Sequence, residues 1–294
     1  MAEPQQLASR MMGGVSLYRR IVNYAAMAAA GVAALLVLVP LFLILGFLMA
    51  KGIGSVNWAF LTQIPKPVGE AGGGMANGIV GTFMILGIAS LIGIPWGIAG
   101  GIYLSEYGRH AFGNVIRFTA DVLNGVPSIV TGIAVYGLVV VTQKHFSALA
   151  GGIALGIMMI PIIVRATEEM LLMVPQTIRE AALGLGIPQW RTTLSVTLRT
   201  ATSGVITGIM LAFARVAGET APLLFTAFGN QFWNLKLNQP TAALSLQVYT
   251  YAISPYDAWH KQAWAGALVM IAIIMGTIAI VRVVASRGLL KGAA

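Results

Sequence analysis

Residues Val174 to Arg199 read VPQTIREAALGLGIPQWRTTLSVTLR, a polar interval between two long apolar runs. Pro175 suits the first turn of a helix, good helix formers follow from Gln176 to Leu185, and Gly186 and Pro188 then stop it. Ile178, Ala182 and Leu185 recur at three- and four-residue steps and form one apolar stripe, while Ala181, Ala182 and Gly184 keep the element slim. Such a helix, presenting Leu183, Leu185 and Ile187, suits insertion into a groove of another protein, with Arg179 and Glu180 as polar contacts at the rim. The same periodicity also suits a helix lying on a bilayer surface. Periodicity alone leaves both open, and the surroundings of the interval decide between classes of protein.

Those surroundings are a membrane protein. Of 294 residues 57% are hydrophobic and 9% charged, and the mean hydropathy is +0.83, outside the soluble globular range. A net charge of +9 would suggest nucleic acid for a soluble chain, but basic residues flanking spans account for it here, and no nucleic-acid partner is expected. The absence of cysteine removes disulfides, thiolate metal sites and thiol chemistry. His110, His145 and His260 lie far apart without metal-ligand spacing and read as interfacial polar residues, so no metal site is expected.

A hydrocarbon core about 30 Å thick needs roughly 20 apolar residues per helical crossing. Six runs qualify: Ile21 to Leu48, Asn77 to Leu104, Asp121 to Val141, Ala148 to Val164, Ala201 to Phe225 and Ala263 to Val284. The first is too long for the core of a cleaved signal peptide and reads as a retained span. Basic residues concentrate in alternate connections: Arg10, Arg19, Arg20, Arg109, Arg117, Arg165, Arg179, Arg191, Arg199, Arg282, Arg287 and Lys291 on one side, against Lys51, Lys66, Lys144, Lys236 and Lys261 on the other. The richer side is the cytoplasmic one, which places both termini and the Val174 interval inside. The expected architecture is an all-α membrane protein with six transmembrane helices. Its parts are an N-terminal tail, first span and first outward segment over 1–74, a transmembrane domain over 75–285, and a cytoplasmic tail over 286–294.

Glycines recur one turn apart within the spans, as at Gly93/Gly97, Gly152/Gly156 and Gly204/Gly208, and predict close helix approach where lipid supplies no hydrophobic drive. Pro95, Pro127 and Pro161 predict local bends or breaks. The outward connections Lys51 to Met75 and Ala227 to Gln262 carry Trp58, Phe60, Phe232, Trp233, Tyr256 and Trp259, as interfacial anchors or as a docking surface for an external protein. Arg215 and Glu219 stand inside the fifth span, one helical turn apart. A lone charge at the centre of a spanning helix costs about 2.5–3.5 kcal/mol, so both are expected to face protein or a watery path, or to form a structural ion pair. Arg165, Glu168 and Glu169, with Glu106 and Arg109, read as charged anchors at helix ends. Gly-Lys never occurs, which excludes a GxxxxGK[ST] nucleotide loop, and no GxSxG or HExxH pattern is present. The chain cannot be its own ATPase by that mechanism.

The string EAALGLG resembles the EAA loop of permease subunits of ABC importers, with Glu180, Ala181, Ala182 and Gly186 at the motif positions. The downstream I-x-L-P of that loop stands here as Val196, Thr197, Leu198, Arg199, without the proline. IPWGIAGGIYLSEYG (94–108), LNGVPSIVTGI (123–133), RATEEMLLMVPQTIREAALGLG (165–186) and ARVAGETAPLLFTAFGNQFW (214–233) narrow the likeness to phosphate-specific importers, A-type permease (PstA) subunits above all. The resemblance implies the ABC type I importer permease fold in a bacterial inner membrane. It implies a coupling helix that carries Arg179, Glu180, Ala181, Ala182 and Gly186 into a cleft of a separate ATPase. It also implies a homologous second permease (PstC type), two ATPase subunits (PstB type) binding ATP and Mg, a phosphate-binding protein (PstS type), and no cofactor in this chain. For inorganic phosphate, the planar guanidinium of Arg215 supplies matching donors, and Glu219 and Thr220 complete the expected path. A permease for another oxyanion or an organic solute shares the loop, and an ion-coupled secondary transporter also keeps charges within a span; the latter works without an ATPase.

Overall fold

The structure, a computed structural model, describes residues 17–67, 70 and 72–291; most of the N-terminal tail, with Arg10, lies outside them. All regular elements among these residues are helical. The first unit, up to Ala50, holds most of α1 (Leu17–Gly52), an apolar helix that keeps Pro40 inside it.

The second unit begins at Lys51 and contains the remaining elements. A short helix α2 (Trp58–Thr62) precedes α3 (Ala76–Tyr107). Next come α4 (Ala111–Gly125), then α5 (Ser128–Val135), which continues through a π turn (Tyr136–Val140) into α6 (Val141–Gln143). The long α7 (Ala148–Leu172) leads to α8 (Gln176–Gly184), α9 (Gln189–Thr192), a second π turn (Thr193–Thr197) and α10 (Leu198–Ala217). The chain closes with α11 (Ala221–Thr226), α12 (Leu244–Ala252) and α13 (Asp257–Lys291). Among the described residues five helical stretches are long and apolar enough to cross a membrane, and α4 with α5–α6 makes a sixth if its bent halves are counted together.

The core is a pair of continuous helices pressed together at glycines. A Cβ on Gly93, Gly97 or Gly101 would lie 2.7, 2.5 or 2.4 Å from the Cβ of Met159, Ile163 or Thr167. These partners advance in step, so α3 and α7 run in the same direction. Gly152 and Gly156 repay the approach from α7, against Ile88 and Ile92 of α3. On α10, Gly204 meets Met170 and Gly208 meets Ala166; these run in opposite order, so α10 is antiparallel to α7. All three expected glycine pairs therefore sit at helix contacts, and the alternating directions are those of consecutive crossings. Ile85, Leu155, Met159, Ile163, Leu171 and Val216 fill the space between these helices.

Three expectations need correction. The third span is not a straight helix over Asp121 to Val141: it turns by 103° between α4 and α5, where Val126 and Pro127 adopt extended backbone. The fourth does not stop near Pro161 but carries that proline inside α7 as far as Leu172. The fifth starts at Gln189, stops at Ala217 and resumes at Ala221 with Pro222 in the first turn of α11. Pro127 breaks its helix as expected, whereas Pro95 and Pro161 are absorbed within theirs.

At the end of the bundle where α3 starts, the buried polar groups are neutral. Asn77 donates from Nδ2 to the Asn230 carbonyl (2.7 Å) and accepts from Gln247 Nε2 (3.0 Å), and Thr82 Oγ1 accepts from the Leu244 N–H (2.8 Å). Phe60, Met75, Leu244, Tyr251 and Ala263 form a second apolar cluster here, joining α2, α12 and α13.

Candidate functional site

The Val174 interval folds as its sequence suggests. Helix α8 runs from Gln176 to Gly184, with Pro175 one place earlier than expected, at the N-cap. Gly186 takes φ +79°, a left-handed conformation that costs any other L-residue about 1–2 kcal/mol. Its N–H donates to the Leu183 carbonyl (2.9 Å) and the Ile187 N–H to that of Ala182 (3.2 Å). This double closure satisfies carbonyls that the helix end would leave orphaned. The glycine four residues after Ala182 is thus a requirement of backbone geometry.

Only Ala182 of α8 is buried. Glu180 and Ala181 are exposed, Leu183 is nearly half exposed, and Leu185 is 81% exposed, with Trp190 of α9 open beside them. Arg179 behaves differently from the rim contact expected of it. Its guanidinium turns inward to pair with Glu106 in the last turn of α3, and its Nη2 donates to the Leu171 carbonyl at the end of α7 (2.7 Å). Both side chains are largely covered, at 13% and 8% exposure. They border a polar cleft of about 300 Å³ shared with Arg109, Gln176, Gln189 and Thr197.

A second set of charges stitches the same end of the bundle. Glu168, 3% exposed, accepts from Arg117 Nε (2.6 Å) and from Arg165 Nη1 (2.9 Å), while Arg165 Nε reaches Asp121 (3.2 Å). Arg117 also donates to the carbonyls of Gly108 (2.7 Å) and Leu104 (3.1 Å), so it caps the end of α3 as well. A cation at a helix C-terminus meets both the orphan carbonyls and the negative end of the dipole. Of the expected helix-end anchors, Glu106, Arg165 and Glu168 are bound in ion pairs, which Arg117 and Asp121 of α4 join, and Glu169 is exposed. Sequence signals for the cluster were local only: Arg165 with Glu168, and Arg117 with Asp121, each about one turn apart.

The third feature lies where the fifth span breaks. Arg215 occupies the last turn of α10 and is exposed; Gly218 ends the helix, and Glu219 and Thr220, both half-buried, form the link to α11. The helix therefore does not hold Arg215 and Glu219 one turn apart. Among the described residues neither side chain makes an ion pair or hydrogen bond. The Glu219 backbone is fixed instead, its carbonyl accepting from Ser245 Oγ of α12 (3.0 Å). Since Gly208 meets Ala166, continuing α10 by seven residues, about 10 Å, brings Arg215 level with the middle of α7. The bent element crosses the broken one just beyond, where a Cβ on Gly132 of α5 would lie 2.6 Å from Pro222 Cα. The structure thus separates the expected residues: Arg215, Glu219 and Thr220 at the break, Glu180, Ala181 and Gly186 on an open surface, Ala182 and Arg179 turned to the body.

Residues 93–289 match the profile of the binding-protein-dependent transport system inner membrane component family. The chain belongs to this family. As a member it is a multi-pass membrane protein and a transport component, not an enzyme. It is 48% identical over 223 residues to the phosphate transport system permease protein PstA of Yersinia pestis, covering 76% of each chain. Against the protein of the same name from Xylella fastidiosa (strain Temecula1) it is 46% identical over 259 residues, 87% of this chain and 90% of that one. PstA 1 of Mycobacterium tuberculosis is 36% identical over 283 residues, 93% of this chain and 92% of that one. Among solved structures, a chain of the inward-facing MetNI methionine ABC transporter superposes with a TM-score of 0.53 at 15% identity, over 73% of this chain and 92% of that chain. That likeness establishes the ABC type I permease fold.

Proposed function

We propose that this chain is a permease subunit of an ATP-driven importer of inorganic phosphate. It forms the translocation path with a homologous second permease and receives phosphate from a binding protein on the outer side. Two separate ATPase subunits supply ATP hydrolysis. The relatives named as phosphate transport permeases support the substrate. The observation that carries the path is the broken fifth helix, which sets Arg215 at mid-bundle, exposed and without a carboxylate partner among the described residues. Discontinuous helices mark binding sites in transporters because irregular backbone is tolerated only where it lines a cavity. A guanidinium stays charged at all relevant pH and offers phosphate a fork of donors.

The open face of α8, with Glu180, Leu183 and Leu185, fits the groove of an ATPase, and α8 is the coupling helix. Both termini lie inside. Closure of the ATPases draws this helix toward its counterpart and tilts the spans, so that Arg215 faces outward and inward in turn. In proteoliposomes holding the complete transporter, labelled phosphate uptake is expected to require internal ATP and external binding protein. Accumulation of phosphate by this chain alone, without nucleotide, contradicts the reading.

A further inference from the structure

The coupling helix touches the rest of the molecule sparingly. Of its side chains only Ala182 is buried. One polar side chain, Arg179, ties it to the ends of α3 and α7, through Glu106 on one and the Leu171 carbonyl on the other. Those two helices are the parallel, glycine-packed pair at the centre of the core. A guanidinium is suited to such a junction, since its planar fork holds two acceptors in fixed directions. The pair is also largely desolvated, so opening it would strand a charge in a poorly hydrated place.

We propose that the Arg179–Glu106 pair is a rigid joint through which displacement of the coupling helix reaches α3 and α7, and that it stays closed throughout the transport cycle. Arg179 and Glu106 are then positioning residues for coupling and do not contact ATPase or phosphate. This rests on the reading of the chain as an ATPase-driven permease. Without the joint, α8 follows its ATPase while the bundle lags, so ATP is hydrolysed with little phosphate moved.

The test measures phosphate transported per ATP hydrolysed by the complete transporter in proteoliposomes, for Arg179→Gln, Glu106→Gln and the double variant. Each single change is expected to lower that ratio about 10-fold, within the range of coupling energies carried by network residues, with ATP hydrolysis retained. The double variant is expected to be no worse than either single one, because both remove the same joint. Unchanged ratios, or effects that multiply, overturn the proposal. A complementary test survives poor folding of these variants. The chain has no cysteine, so Glu106→Cys with Arg179→Cys can be bridged by a bis-maleimide spanning the original side chains. Bridging is expected to restore the ratio, whereas arrest of transport shows that the joint must open and overturns the claim. Absence of uptake by the unmodified complex overturns the functional reading and the joint's role with it. Uptake by that complex with normal ratios in both single variants overturns the joint alone.

Discussion

The α3–α7 pair and the α5/α10–α11 pair answer the same problem, packing helices in lipid, in opposite ways. In the first, two helices of 32 and 25 residues run unbroken side by side, with glycines at the seam and prolines absorbed. In the second, both partners are interrupted. One has the Pro127 bend and a π turn over Tyr136–Val140; the other has a π turn over Thr193–Thr197 and the gap at Gly218 to Thr220. They meet at Gly132 and Pro222. Charges divide along the same line: Glu106 and Glu168, against the ends of the continuous pair, are each bound to arginine, whereas Arg215 and Glu219 at the break have no such bond among the described residues. Under the proposed function, rigidity is concentrated where movement would be transmitted, and uncommitted polar groups where the solute would pass.

The sharpest way to break this contrast is at Glu168. Glu168→Ala removes the buried acceptor shared by Arg117 and Arg165, which stay partly exposed and keep Asp121 and the carbonyls of Gly108 and Leu104, so each charge-assisted bond lost costs about 1.5–3 kcal/mol. The expected outcome is a large fall in thermal midpoint and in assembled complex, read by melting in detergent. Next, Gly97→Ala forces a methyl against Ile163 and should cost about 1–3 kcal/mol, as overpacking does. Gly87→Ala on the same helix meets nothing within 4 Å and should leave the melt unchanged or raise it by up to the equivalent of about 1 kcal/mol. Equal effects at both glycines would mean that α3 and α7 are not pressed together as described. A smaller effect is expected at Gly186, where alanine at φ +79° should cost about 1–2 kcal/mol, confined to the end of α8. It should appear as lower transport per ATP with little change in the global melt.

The sequence made the continuous half of this molecule legible and the broken half much less so. Glycines one turn apart located helix contacts, because the small-residue rule acts locally. Hydropathy cannot report direction, so α4 and α5–α6 read as part of one span. At Pro127 the preceding Val126 takes the extended backbone that proline favours, α4 ends at Gly125, and Arg117 and Asp121 of α4 reach α7. Pro161 has apolar helix on both sides. The loop motif singled out Glu180, Ala181, Ala182 and Gly186, yet nothing local indicated that Arg179 turns inward, since its partner lies 73 positions away. Arg117 and Glu168 are likewise 51 apart. Long-range pairs of this kind leave no periodic trace.

The central claim is that Arg215 at the helix break works on the solute and is not part of the scaffold. Uptake of labelled phosphate by Arg215→Ala, normalised to assembled complex, tests it most directly. Near-complete loss of uptake is expected, with wild-type amounts of complex and an unchanged melt. Normal uptake would remove Arg215 from the path, and loss of assembly in step with uptake would make it one more structural charge.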